Sequence, residues 1–206
     1  MSTATTTRYA PLAAALVVWL LLWPLCLGLF SITIGSIITS DATTRMWVDI
    51  GVAPAVLLLL VFTHQQMTKS LFSPQWTAYL YLLPLVALIT MVFRVGGIDG
   101  MVFGYPVWLY TPMIATNVAL QQLLTFGLLQ SYCEKVIPPA LTIAIITIVF
   151  YLGHGIFISE KFASNKPLAA LFIVIVGLAF AMIRQRTHTL HANLALYLLF
   201  YFIVIA

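Results

Sequence analysis

Long apolar runs separated by short polar clusters make up the chain, and the runs do not alternate in period two as the strands of a membrane barrel would. Unbroken apolar runs of this length predict helices. The first covers residues 9–40, which hold no charged side chain, with Pro24 as a kink. Asp41, Arg45 and Asp49 mark a first loop, and a second helix over 47–62 is interrupted by Pro54. Residues 64–75, with Lys69, read as a polar connection. A third helix over 76–93 opens on Trp76, Tyr79 and Tyr81, residues suited to an interfacial belt. Gly96, Gly97, Gly100 and Gly104 around Asp99 make 94–106 the most turn-like stretch. A fourth helix is expected from near Pro112 to Gln130, since proline is tolerated in a first turn. A loop over 131–139 precedes a fifth helix over 140–162, a break over 160–167, a sixth helix over 168–183 and a seventh over 190–205. The pattern predicts an all-α, polytopic transmembrane bundle of about seven spans. Three lie in an amino-terminal region, 1–108, and four in a core, 109–206, within one integral membrane domain.

Composition is what turns these helices into membrane helices. Of 206 residues, 63% are hydrophobic and 7% charged, with a mean hydropathy of +1.09. A soluble domain cannot hide that much apolar surface. The net charge of +4 is spread thinly over the loops and forms no basic stripe, so nucleic acid is not an expected partner. The basic start resembles a signal peptide, but the apolar body is too long and no small-residue site closes it, so it reads as a first transmembrane helix. An inward amino terminus places Arg8, Lys69, Lys135, Arg184 and Arg186 inside, against Arg45, Arg94, Lys161 and Lys166 outside. Cys26 and Cys133 read as free thiols. The expected location is the cell membrane, multi-pass, with membrane lipid as a partner.

Polar residues inside the apolar runs are the candidates for chemistry. Gln121 and Gln122 are adjacent amides in an uncharged stretch, 100–133. A buried amide without partners costs about 1–3 kcal/mol, so both are expected to face protein or water. They either bond a neighbouring helix or serve a site. His154, between Gly153 and Gly155, is either satisfied by a partner such as Gln122 or Tyr197 or functional. His188 and His191, three apart, are spaced to share a metal, but no carboxylate or cysteine lies near them in sequence. A solvated or headgroup-facing pair beside Arg184 and Arg186 is favoured, and no metal or cofactor is expected. Cys133-Glu134-Lys135 reads as an ordinary loop and Asp99 as a turn residue.

Three features follow in order: Gln121-Gln122-x-x-x-Phe126-Gly127, Phe150-x-x-x-His154, and a run from Gly177 through Arg184-Gln185-Arg186-Thr187 to Tyr197 and Tyr201. Residues four apart share a helix face. Gln121, His154 and Tyr197 each lie roughly 12–14 Å from a helix end on one side. Over 114–206 this layout resembles the CPBP family, which includes the type II CAAX prenyl endopeptidases and bacteriocin-immunity proteins. Its motifs are Glu-Glu-x-x-x-Arg, Phe-x-x-x-His and His-x-x-x-Asn (or Asp) on successive helices. The resemblance implies a four-helix core. It places Gln121 and Gln122 at the two glutamates, Phe126 at the arginine, His154 at the first histidine, and Tyr197 and Tyr201 at the last two positions. An alternative register through His188, His191 and Asn193 lacks the four-residue spacing and lies near the membrane surface.

The family mechanism, as the resemblance implies it, uses a glutamate to activate water, with His and Asn stabilising an oxyanion. A neutral amide cannot take that proton. General-base assistance supplies about 10²–10⁴-fold, and oxyanion donors a comparable share. The expectation is a catalytically inactive member. Its former active-site cavity would bind a membrane peptide, a lipidated chain or a partner membrane protein at Gln122, His154 and Tyr197, in an immunity or regulatory role. Two rivals are an active intramembrane CAAX-type peptidase using other residues and a small transporter or scaffold. The lack of a mid-membrane carboxylate or basic residue weighs against ion-coupled transport.

Overall fold

The structure, a computed structural model, describes residues 3–23, 42–102, 104–157 and 167–205. Pro24 and Cys26, and with them most of the expected break over 160–167, lie outside the described residues. The described residues are 85% helical, which settles the class as all-α. In order come α1 (Thr3–Leu22), α2 (Ala42–Thr63) and α3 (Gln65–Leu71). A 3₁₀ segment, Trp76–Tyr81, leads into α4 (Leu82–Arg94). A hairpin of β1 (Met101–Val102) and β2 (Tyr105–Pro106), antiparallel with Met101 opposite Pro106, joins α4 to α5 (Val107–Gln122). A π-helical segment, Leu123–Leu129, continues into α6 (Gln130–Glu134). The chain ends with α7 (Pro139–Phe157), α8 (Pro167–Thr187), α9 (His191–Phe200) and a second π segment, Tyr201–Ile205.

The unbroken rod Val107–Glu134 is the axis of the molecule. It is apolar on all sides, and such a helix is stable only when other helices surround it. Of its most apolar 18-residue window 78% is buried, against 22% for Trp76–Arg94 and 28% for Pro167–Thr187. The outer helices turn one stripe inward. In α4 that stripe is Pro84, Ala87 and Met91, while Leu82, Val86 and Phe93 are exposed. In α8 it is Ile173, Gly177, Phe180, Ala181 and Arg184, while Leu168, Leu171 and Ile175 are exposed. An outer surface this apolar suits lipid and exceeds what a soluble monomer exposes.

Among the described residues three helices are long and apolar enough to cross a membrane, and a fourth if Ile50–Thr63 and Gln65–Leu71, bent by 101°, count as one broken span. Seven spans would also need the shorter apolar helices. Pro139–Gly155, for instance, is only about 25 Å long at 1.5 Å per residue, short of a hydrocarbon core of about 30 Å.

Local boundaries differ from expectation for identifiable reasons. The loop expected over 41–49 is the start of α2, which takes in Arg45 and Asp49; no glycine or proline interrupts 42–50. The polar connection over 64–75 holds α3, because Leu71 is fully buried and its carbonyl accepts the Leu190 N–H at 3.0 Å. The rod starts at Val107, with Pro112 inside it. The hairpin supplies partners for its first N–H groups: Val107 donates to the Gly100 carbonyl at 2.9 Å and Trp108 to that of Ile98 at 3.2 Å. At the other end the helix persists into the expected loop over 131–139, where Gln130 Nε2 donates to Glu134 Oε1 one turn on at 3.0 Å.

The ends of α6 and α8 and the starts of α7 and α9 meet at one end of the bundle, where α3 joins them through Leu71 and Leu190. Lys69, Lys135, Arg184 and Arg186 lie there with a single described acid, Glu134. We refer to it as the basic end.

Candidate functional site

Moving inward from the basic end, Gln130, Phe126 and Gln122 follow at four-residue spacing along the rod and define three levels. The outermost is polar. Gln130 Nε2 donates to the Ala181 carbonyl at 3.0 Å and Asn193 Nδ2 to the Phe180 carbonyl at 3.1 Å. A carbonyl only accepts, so these bonds fix both amide orientations. Arg184, buried in the last turn of α8, donates through Nη2 to Ser131 Oγ at 2.9 Å and lies 3.9 Å from Glu134 Oε2. Glu134 is therefore part of an interhelical polar cluster, where the sequence suggested an ordinary loop.

The middle level is aromatic. Phe126, Phe150 and Phe180, all buried, meet with ring centroids 5.3 Å (Phe126–Phe150), 5.6 Å (Phe126–Phe180) and 6.4 Å (Phe150–Phe180) apart. Gly177 makes this possible, since a Cβ there would lie 2.9 Å from Phe150 Cδ1.

The deep level lies one turn further in. The rod and α7 run in opposite directions, so Gln122, one turn beyond Phe126, and His154, one turn beyond Phe150, reach the same depth. His154 Nδ1 is 2.8 Å from the Phe150 carbonyl, so Nδ1 carries the hydrogen and Nε2 presents a lone pair. The Tyr197 hydroxyl stands 3.5 Å from Nε2, at the outer limit of a hydrogen bond. The Tyr197 ring lies 5.5 Å from Phe180 and 5.3 Å from Tyr201, which is half-buried. Gln121 and Gln122 are both buried. Among the described residues neither Oε1 nor Nε2 of Gln122 has a hydrogen-bond partner. The π segment begins at the next residue, and such segments are frequent at functional sites.

Of the six positions singled out from sequence, the structure thus joins His154, Tyr197 and Tyr201 directly, puts Gln122 at their depth, and places Phe126 in the layer between them and the basic end. Trp19 in α1 and Trp23, the residue just past its end, were missed. Trp23 is fully buried, 5.7 Å and edge-on to the His154 ring and 4.9 Å from Trp19. Trp19 Nε1 donates to Thr125 Oγ1, inside the π segment, at 2.9 Å. Gly153 gives Trp23 its seat, since a Cβ there would come within 2.6 Å of the indole. The signal was available as Trp19-x-x-x-Trp23, one helical face within the first apolar run.

The histidine pair separates. His188 is exposed at a φ of 56°, whereas His191 is buried against the rings of Phe72 and Tyr81, its Nε2 donating to the Ser73 carbonyl at 3.0 Å. Among the described residues no three His, Cys, Asp or Glu side chains gather as a metal site. Cys133 is free and buried.

Fold and composition together define the class: an all-α protein with, among the described residues, three or four helices fit to cross a membrane. Within that class no family model matches the chain, and neither a curated protein nor a solved structure is significantly similar to it.

Proposed function

We propose that this chain is a multi-pass protein of the cell membrane, similar to the CPBP family and without hydrolytic activity. It binds a membrane peptide, lipidated chain or partner helix at the level of Gln122, His154 and Tyr197. Seven spans, an inward amino terminus, a four-helix core in 109–206 and an immunity or regulatory role belong to this reading.

One observation carries it. The Gln122 amide is fully buried with neither polar atom paired among the described residues, at the depth of the His154–Tyr197 contact. An amide left so costs about 1–3 kcal/mol, which a bound molecule can offset by pairing with it. The same residues argue against hydrolysis. Glutamine cannot act as a base, and Phe126 is packed among phenylalanines where the family has an arginine. Among the described residues no charged side chain stands with Gln122, His154 and Tyr197, which favours a neutral or lipid-like ligand over a charged peptide terminus.

Two experiments test the reading. Purified protein should not cleave a farnesylated CAAX peptide, and Gln121→Glu with Gln122→Glu should not by themselves restore cleavage; turnover that depends on His154 would refute it. Ligand or partner co-purified per folded protein should fall in Gln122→Ala, Tyr197→Ala and His154→Ala by more than folded yield falls. Loss of yield in all three, with normal binding by the surviving protein, would leave only a polar helix junction.

A further inference from the structure

The deep level is walled on the basic side by three phenylalanines and on the α1 side by Trp23, and these walls are built differently. Phe126, Phe150 and Phe180 belong to three helices that interlock around Gly177. Trp23 belongs to a helix at the margin, whose Val17, Leu20 and Leu21 are exposed. It covers the His154 ring edge-on and fills the notch at Gly153. Its own Nε1–H, although fully buried, has no partner among the described residues, where a buried indole ordinarily finds one. A side-chain tether, the 2.9 Å bond from Trp19 to Thr125, holds the same face one turn away.

We propose that Trp23 is a displaceable, self-supplied occupant of the ligand seat. The ligand enters when the Trp19–Trp23 face of α1 lifts from Gly153 and His154, and a flat apolar group of indole size takes its place. This rests on the proposed binding role for its purpose, though the lifting of α1 can be tested without any ligand. Releasing the tether shifts the balance toward the lifted state. An interhelical hydrogen bond in a membrane protein corresponds to about a 3- to 20-fold change in such an equilibrium. A ligand that binds only the lifted state gains apparent affinity by the same factor.

The test uses the full-length protein in detergent with Cys26→Ser and Cys133→Ser, and His154→Cys as a reporter beneath Trp23. N-ethylmaleimide should label the reporter slowly in this background. Thr125→Val and Trp19→Phe, which remove the tether and keep the packing volume, should each speed labelling about 3- to 20-fold. Exposed Trp108→Phe should not. Fast labelling with Trp23→Ala but no acceleration with either tether variant would make α1 a fixed wall and overturn the proposal. Slow labelling even with Trp23→Ala would place the barrier elsewhere and overturn it equally. In protein retaining His154, Thr125→Val should also tighten binding of a fluorescent farnesylated tetrapeptide methyl ester by the factor seen in labelling. Accelerated labelling with no binding by any variant would sustain the moving cover and refute the proposed binding role.

Discussion

The polar level at the basic end and the polar level beyond the phenylalanines each hold a glutamine of the rod, Gln130 paired and Gln122 without a partner among the described residues. At the basic end Gln130 and Asn193 each donate to a backbone carbonyl of α8, and Arg184 reaches Ser131 and Glu134 across the helix interface. These side chains tie α6, α8 and α9 together. Some of their atoms, such as Gln130 Oε1 and Arg184 Nε, have no partner among the described residues. They lie about one turn from the exposed Arg186 and His188, where water is near. Gln122 is two turns deeper, roughly 12 Å along the rod from Gln130, and among the described residues it bonds no neighbour. Polarity in a membrane interior therefore does not by itself mean helix glue. What separates the two glutamines is that Gln130 donates to a backbone carbonyl of α8 and Gln122 has no such partner among the described residues.

The largest effect that bears on this contrast should come from removing the layer between the levels. Phe126→Ala should lower stability by about 2–4 kcal/mol, measured by thermal unfolding in detergent. An effect under about 1 kcal/mol would mean that the phenylalanines do not form a packed barrier. Gly177→Ala should cost somewhat less, about 1–3 kcal/mol, because its methyl group would press on Phe150. A neutral outcome would show that the α7–α8 contact yields easily. Gln130→Leu and Asn193→Leu should each cost about 1 kcal/mol, the usual worth of an interhelical hydrogen bond in lipid. If both are neutral, the basic end is not tied as described. The smallest effect should be a gain. His188 stands just past the end of α8 at a φ of 56°, a conformation glycine adopts without the Cβ penalty. His188→Gly should stabilise the protein by about 1 kcal/mol or less, and destabilisation would assign the imidazole a contact of its own.

The contrast was half legible in the sequence. Gln121-Gln122 in an uncharged run marked the rod, and the four-residue spacing of Phe150 and His154 placed them correctly on one face. The meeting of His154 with Tyr197 followed from depth counting. What the sequence lacked was any marker of partners far along the chain. The Trp19–Thr125 bond joins residues 106 apart, and the Gln130 and Asn193 bonds end on carbonyls, which carry no sequence signature. Glu134 looked like a loop residue because its helix is short and ends nearby; the Gln130 bond and the approach of Arg184 give it a role. Of the seven expected spans, the described residues carry three helices long and apolar enough to cross, or four with the bent pair, for a related reason. Hydropathy reports how apolar a run is, while length and bends such as the one at His64 come from packing.

The central claim is that the Gln122 amide contributes nothing to folding and is kept for a ligand. Thermal unfolding of ligand-free Gln122→Leu beside Gln130→Leu, in one detergent, tests it most directly. Removing an unpaired buried amide relieves a cost, whereas removing a paired one loses a bond. The account predicts that Gln122→Leu unfolds at or above the wild-type temperature and Gln130→Leu below it. A fall for Gln122→Leu as large as that for Gln130→Leu would show that the amide is a structural link, and would contradict the claim.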